Sequence, residues 1–198
     1  MKSNFNMPPH LQFELILKHA AIKPKEGESF FSYYNRSNAG VEVTWDTLRH
    51  LRSLTSLKII LKGILSKEDA ATCLKFKKAG IIDAIWISNH GGRQLDETIS
   101  TIEALEEIAP VVGREMPILV DGGFRNGTDV LKALALGADF VCLGRPILYG
   151  LATRGEAGVK KVLQVVESEL KRAMLLCGVG SAKEAREKSI LYKMRPKL

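Results

Sequence analysis

Ile87-Ser88-Asn89-His90-Gly91-Gly92-Arg93-Gln94-Leu95-Asp96 follows directly on an apolar run that begins at Ile81. The stretch sets a titratable imidazole and a fixed guanidinium three residues apart, on a turn softened by two glycines. An imidazole takes a proton near neutral pH, and a guanidinium clamps a carboxylate with two parallel hydrogen bonds. Together they describe a site that pulls a proton from the carbon next to a carboxylate. The plainer alternative is a strand-to-helix turn with a surface histidine and a helix-capping Asp96.

Working outward, apolar strands alternate with amphipathic helices. Trp45, Leu48, Leu51 and Leu54 recur at helical spacing and precede a strand over Leu57 to Leu61. Ser66-Lys67-Glu68-Asp69 has an N-cap hydroxyl and an acidic first turn, opening a helix to about Ala79. Ile81 to Ser88 is the next strand, and Ser100-Thr101-Ile102-Glu103 is a capping box for a helix to about Val112. A third strand is expected over Ile118 to Val120, a helix over Thr128 to Leu136 and a fourth strand over Phe140 to Leu143. Helices over 146–153, 157–176 and 181–189 follow. Continuously apolar strands imply a parallel sheet buried on both faces, built from βα units in an α/β fold. A complete (β/α)8 barrel takes about 250 residues. Four units in 198 residues therefore make a partial barrel, a barrel closed by a second copy, or an open sheet.

Polar, glycine-bearing segments follow each strand, where barrels and doubly wound sheets both place their chemistry. In Asp121-Gly122-Gly123-Phe124-Arg125-Asn126-Gly127, the glycines let backbone N–H groups approach an anion, a helix N-terminus adds favourable potential, and Arg125 supplies a fork. Gly144-Arg145 repeats the pattern one strand later. The two loops together read as a phosphate grip. Lys62 ends an otherwise apolar strand, so its ammonium points to the mouth of the sheet or else snorkels to solvent.

Hydrophobic content of 45% with 26% charged residues is that of a globular chain able to bury a core. No apolar run is long enough to span a membrane, and the N-terminus lacks a secretory hydrophobic core. Cys73, Cys142 and Cys177 are odd in number and lack metal-ligand spacing, which points to a reducing compartment and no metal centre. The net charge of +7 is dispersed over helix faces without interleaved aromatics, so a nucleic-acid partner is not expected. Met7-Pro8-Pro9 and the polar Pro24–Ser29 stretch make residues 1–44 an irregular loop segment.

Ile60-Leu61-Lys62-Gly63, Ser88 to Asp96, Asp121-Gly122-Gly123-Phe124-Arg125 and Gly144-Arg145-Pro146 occur in the order found in the FMN-dependent 2-hydroxy-acid oxidases, which the chain resembles from about Trp45 onward. The resemblance implies strands 5–8 of a (β/α)8 TIM barrel plus C-terminal helices. Residues 45–190 would be an FMN-binding half-barrel, and 191–198 a tail. It further implies that Lys62 and Ser88 contact the flavin, His90 is the active-site base, and Arg93 holds the substrate carboxylate. Asp121 would bind the ribityl chain. The Gly122-Gly123-Phe124-Arg125 turn, with Gly144 and Arg145, would grip the cofactor phosphate. The implied reaction oxidises an (S)-2-hydroxy acid to a 2-oxo acid, with molecular oxygen reduced to hydrogen peroxide. Pro196-Lys197-Leu198 resembles a variant of the C-terminal tripeptide read by the peroxisomal import receptor.

The family's N-terminal half, with its tyrosines, second arginine and histidine-orienting aspartate, has no counterpart that can be assigned here. The approach to the His90 strand, Gly80 to Trp86, runs about four residues longer than the family's, which is expected to shift its pairing or bulge it. A half-barrel leaves two strand edges open, favouring self-association. The alternative function is therefore a catalytically incompetent half-barrel that binds flavin or phosphate weakly, or acts as an interaction protein. Flavin isomerases carry similar phosphate loops, but the His-Gly-Gly-Arg pair argues against that assignment.

Overall fold

Buried positions spaced three and four apart give each helix one face to hide, and hiding it on a sheet sets the architecture. The structure is a computed structural model and describes residues 25–27, 33, 43–188 and 190–191. The chain divides into two compact units, Met1–Trp45 and Asp46–Leu198. In the first, Tyr33 is buried and Glu26-Gly27 form a turn. Met7-Pro8-Pro9 and Pro196-Lys197-Leu198 lie outside the described residues.

From Trp45 onward the order is α1 (Trp45–Leu54), β1 (Ile60–Ile64), α2 (Lys67–Lys78), β2 (Ala84–Ile87), α3 (Thr101–Val112), β3 (Ile118–Val120), α4 (Gly127–Leu136), β4 (Phe140–Val141), α5 (Arg145–Leu176) and α6 (Ala182–Glu187). All neighbouring strands pair parallel in the order β1-β2-β3-β4. The caps read from sequence are formed. Ser66 accepts from the Asp69 N–H, and Ser100 accepts from the Glu103 N–H while its hydroxyl bonds the Glu103 carboxylate. α5 is two helical legs folded at Arg154 and Gly155, where the backbone leaves helical geometry.

One face of the sheet packs on helices. Ile85, Ile87, Ile118 and Val120 are at most 1% exposed and meet Ala104, Leu105, Ile108 and Val112 of α3, which are fully buried. The other face carries the in-register row Lys62, Trp86, Leu119 and Phe140. This face is largely uncovered, with Ile60 44% and Phe140 60% exposed. Burial on both faces, expected from the apolar strands, therefore holds on the helix side alone. The four strands form one sheet with a helix layer on a single face among the described residues.

Three boundaries differ from those read in the sequence. β1 starts at Ile60 rather than Leu57, so Lys62 lies within the strand and not at its end. β2 is the shorter Ala84–Ile87 and β4 only Phe140–Val141, although the Cys142 N–H still bonds Val120 O at 2.8 Å. The Gly80–Trp86 approach leaves β2 without a bulge. Ile81 and Ile82 fill the core, while the register slips in β1, between Lys62 and Ile64, turning Ile64 to the covered side.

Asp83 locks the start of this β1–β2 pair. Its carboxylate accepts from the Ile59 N–H at 2.9 Å and from Lys58 Nζ at 3.0 Å, with Arg52 3.6 Å away. The Ile59 N–H and then Lys58 hold its pKa below the ordinary 3.8. A carboxyl with a depressed folded-state pKa stabilises above its unfolded value and loses that contribution as pH falls through the folded one. Thermal melts of the parent are expected to weaken as pH falls from about 5 through the depressed value. Asp83→Asn should melt lower near neutrality and respond less to acid. Parallel melting curves for the two proteins would refute this.

Candidate active site

The ends of β1 to β4 and the turns after them surround one cavity of about 640 Å³, within the range of small-molecule and cofactor sites. Lys62, His90, Arg93, Asp121, Gly122, Gly123, Phe124, Arg125, Gly144 and Arg145 all line it. Of the residues expected to bind flavin or substrate, Ser88 alone lies outside this lining; it is 3% exposed and lines a neighbouring cavity with Lys62 and His90.

The hydroxyl of Ser88 is a hub. It donates to Asp121 Oδ1 at 2.7 Å and accepts from Lys62 Nζ at 2.8 Å and from the His90 N–H at 3.1 Å. Lys62 Nζ also stands 3.7 Å from Asp121 Oδ2 and 5.5 Å from the centre of the Trp86 ring. A hydroxyl offers one donor and two acceptor sites, so that of Ser88 is fully engaged inside the protein. That bonding positions Lys62, Asp121 and the His90 turn, all of which line the cavity. Ser88→Ala leaves the His90 N–H and the Asp121 carboxylate short of a partner. A stability loss of about 1–3 kcal/mol is expected, read from urea unfolding; no shift in midpoint would refute the hub.

His90 opens a single 3-10 turn, His90–Gly92, and has φ +56. A left-handed conformation at a non-glycine residue costs about 1–2 kcal/mol and needs outside support. Beyond Ser88, the Gly91 N–H bonds Asn89 Oδ1 at 3.0 Å, and Arg145 Nη2 donates to Gly91 O at 2.9 Å. The imidazole makes no hydrogen bond to another described residue, and no described carboxylate orients it.

The Asp121–Gly127 loop is built differently from its sequence reading. At Gly122 (φ +96), an added Cβ would lie 2.7 Å from Thr101 Oγ1, and that hydroxyl bonds Gly122 O. The start of α4 is already occupied by protein acceptors. Asn126 takes the Asp129 N–H at 2.9 Å, Asp129 takes the Arg125 N–H at 3.1 Å, and Glu169 takes the Gly127 N–H at 2.9 Å. The helix potential expected here for an anion is met by two carboxylates. α5 instead begins at Gly144 with no side-chain cap and Pro146 in its first turn. Of the two loops, the second is the one with an open helix start.

Several residues at the site went unread in the sequence. Trp86 and Cys142 line the cavity because strand alternation puts them on the Lys62 face. Burial and then the Asp121 charge raise the Cys142 thiol pKa, against Lys62. Asn89 also donates to Ile99 O and Thr101 to Gly122 O, partners ten and 21 residues away that no local pattern announces.

The donor set fits a flavin mononucleotide. The guanidinium groups of Arg93 and Arg125 pair with no other described residue, and the Trp86 indole N–H is shielded from solvent without an acceptor. A phosphate and a ring carbonyl are the acceptors such donors lack.

A family model for FMN-dependent dehydrogenase matches residues 1–192. A peroxisomal (S)-2-hydroxyacid oxidase of Arabidopsis thaliana is 48% identical over 178 residues, 90% of this chain and 47% of that protein. 2-Hydroxyacid oxidase 2 of Homo sapiens is 47% identical over 161 residues, 81% of this chain and 44% of that one. A crystal structure of mandelate oxidase with (S)-2-phenylpropionate superposes with a TM-score of 0.68 at 45% identity, covering 73% of this chain and 42% of the other. The chain thus spans about half the length of the curated relatives it matches. A match over nearly every residue, joined to four parallel βα units that converge on one donor-lined cavity, places the chain in the FMN-dependent dehydrogenase family, whose cofactor is FMN and whose fold is the TIM barrel.

Proposed function

We propose that this chain supplies the phosphate-binding and proton-accepting side of an FMN-dependent 2-hydroxy-acid oxidase site. The observation that carries the reading is the convergence of Lys62, His90, Arg93, Asp121, Arg125 and Arg145 on one cavity. Bound FMN supplies the two-electron acceptor that turns a 2-hydroxy acid into a 2-oxo acid, and oxygen then takes the electrons as hydrogen peroxide.

The chain's own residues perform the rest. Arg93 clamps the substrate carboxylate with its unpaired fork. The imidazole of His90 accepts the proton released as the substrate is oxidised, and its turn is held at the His90 N–H by Ser88 and at Gly91 O by Arg145. Lys62 holds positive charge where negative charge develops on the flavin ring, and its ammonium is aimed by Ser88 and Asp121. Asp121, in the cavity lining, would accept from the ribityl hydroxyls. Gly122, Gly123 and Phe124 shape the turn that carries Arg125, and Arg125 with Gly144 and Arg145 holds the phosphate.

A second reading has its own support. The sheet face that carries Lys62 and Trp86 is largely uncovered, and the His90 imidazole has no orienting carboxylate among the described residues. On that reading the chain holds flavin weakly and does not turn over. The experiment is to titrate the purified chain with FMN, then add glycolate or a longer 2-hydroxy acid without oxygen. Bleaching of the flavin absorbance supports the oxidase; a bound flavin that stays yellow supports the incompetent half-barrel. No binding of FMN at millimolar concentration sinks both.

Two relatives carry peroxisomal names. From those names we propose a peroxisomal location, with Pro196-Lys197-Leu198 as the tripeptide that the import receptor would read. A fluorescent fusion ending in this tripeptide should be punctate and should disperse when Leu198 is deleted. Indifference to the deletion would overturn the assignment.

A further inference from the structure

We infer that Glu169 is a positioning residue of the phosphate grip, holding the arm that carries Arg125 in register with the arm that carries Arg145. The inference rests on the phosphate-binding reading above and deepens it.

Arg145 is the first residue of α5, and Glu169 lies on the distal leg of the same element. The two legs meet where they fold back, since a Cβ built on Gly150 would lie 2.7 Å from Gly158 O. The distal leg then seats against the start of α4. A Cβ on Gly127 would fall 2.0 Å from Leu170 N and 2.4 Å from the Glu169 carbonyl carbon, so the two backbones touch with no room for any side chain. At this contact Glu169 Oε2 accepts the Gly127 N–H at 2.9 Å, a partly buried bond spanning 42 residues. Below it, Leu131 of α4 packs with Leu170, Ala173 and Met174.

Arg125 stands two residues before Gly127, and its own N–H is tied to Asp129. The position of its guanidinium is therefore set by where α4 begins, and α4 begins where Glu169 holds it. One strap thus fixes both arms, Arg145 directly and Arg125 through Glu169. Two cations grip one phosphate only if their spacing is held, because each guanidinium loses its hydrogen-bond geometry within a fraction of an ångström.

The carboxylate has an opposite electrostatic effect. Its negative charge at the positive end of α4 disfavours a phosphate nearby. Geometry and charge therefore predict different results for two substitutions. Glu169→Gln keeps an acceptor for Gly127 and removes the charge. Glu169→Ala removes both.

The test measures Kd for FMN and for riboflavin, which lacks the phosphate, by flavin fluorescence quenching on the full chain. Amide exchange over residues 122–128 is followed in parallel. Glu169→Ala is expected to weaken FMN about tenfold with riboflavin changed less than about twofold, and to speed exchange in that segment. Glu169→Gln is expected to bind FMN at least as well as the parent and to leave exchange unchanged. Tighter FMN binding by both variants would make Glu169 a charge effect only and overturn the inference. Equal weakening of FMN and riboflavin by the alanine variant would reduce Glu169 to general stability and overturn it too. A parent that binds FMN no better than riboflavin would instead refute the phosphate grip itself, before any variant is compared.

Discussion

Replacing His90 with alanine is expected to slow anaerobic reduction of bound FMN by a 2-hydroxy acid by about 10³-fold, with FMN affinity changed little. A positioned proton acceptor contributes roughly 10²–10⁴-fold, and the imidazole of His90 lines the cavity beside Arg93. Its side chain carries no hydrogen bond that holds the fold together, since the supporting bonds go to its backbone N–H and to the neighbouring Gly91 carbonyl. Removing the ring should leave the turn in place, and alanine at φ +56 bears a strain similar to that of histidine. The measurement is stopped-flow absorbance of the oxidised flavin. Bleaching by the alanine variant at the parent rate would end the assignment of His90 as base.

Alanine at both Arg125 and Arg145 is expected to weaken FMN binding by about 10²–10⁴-fold, from roughly 1.5–3 kcal/mol for each charged hydrogen-bonding group, while riboflavin binding changes far less. The single variants should differ from each other. The Arg125 guanidinium pairs with no described residue, so its loss acts on affinity alone. Arg145 also holds Gly91 O at 2.9 Å, next to His90. Even at saturating FMN, Arg145→Ala should therefore slow flavin reduction where Arg125→Ala does not. A double variant with parent-like FMN affinity would show that the phosphate lies elsewhere. Identical reduction rates for the two single variants would show that the Arg145–Gly91 bond does not support the base.

Much of this was legible along the chain. Helix starts at Ser66 and Ser100 are local events, in which a hydroxyl reaches an N–H three residues on, and residue order suffices to announce them. The order of βα units, and the grouping of chemistry after each strand, follow from hydropathy period and glycine placement, so the fold class and ten of the cavity-lining residues were readable before any coordinates.

The roles of Ser88 and Glu169, and the occupied start of α4, were not. Each depends on a bond between groups 33, 42 or more residues apart, or on which of two similar loops has its amides already taken. The strand bounds failed for a related reason. An apolar run does not state where pairing begins, and the slip in β1 falls at Gly63, whose φ of +100 admits the extra residue. Sequence by itself determined the kinds of element, their order and the chemistry available at the strand ends. Tertiary structure alone decided which of those polar groups are spent on one another and which stay open to a ligand, because hydrogen-bond capacity is finite and is allotted by distances between residues remote in the chain.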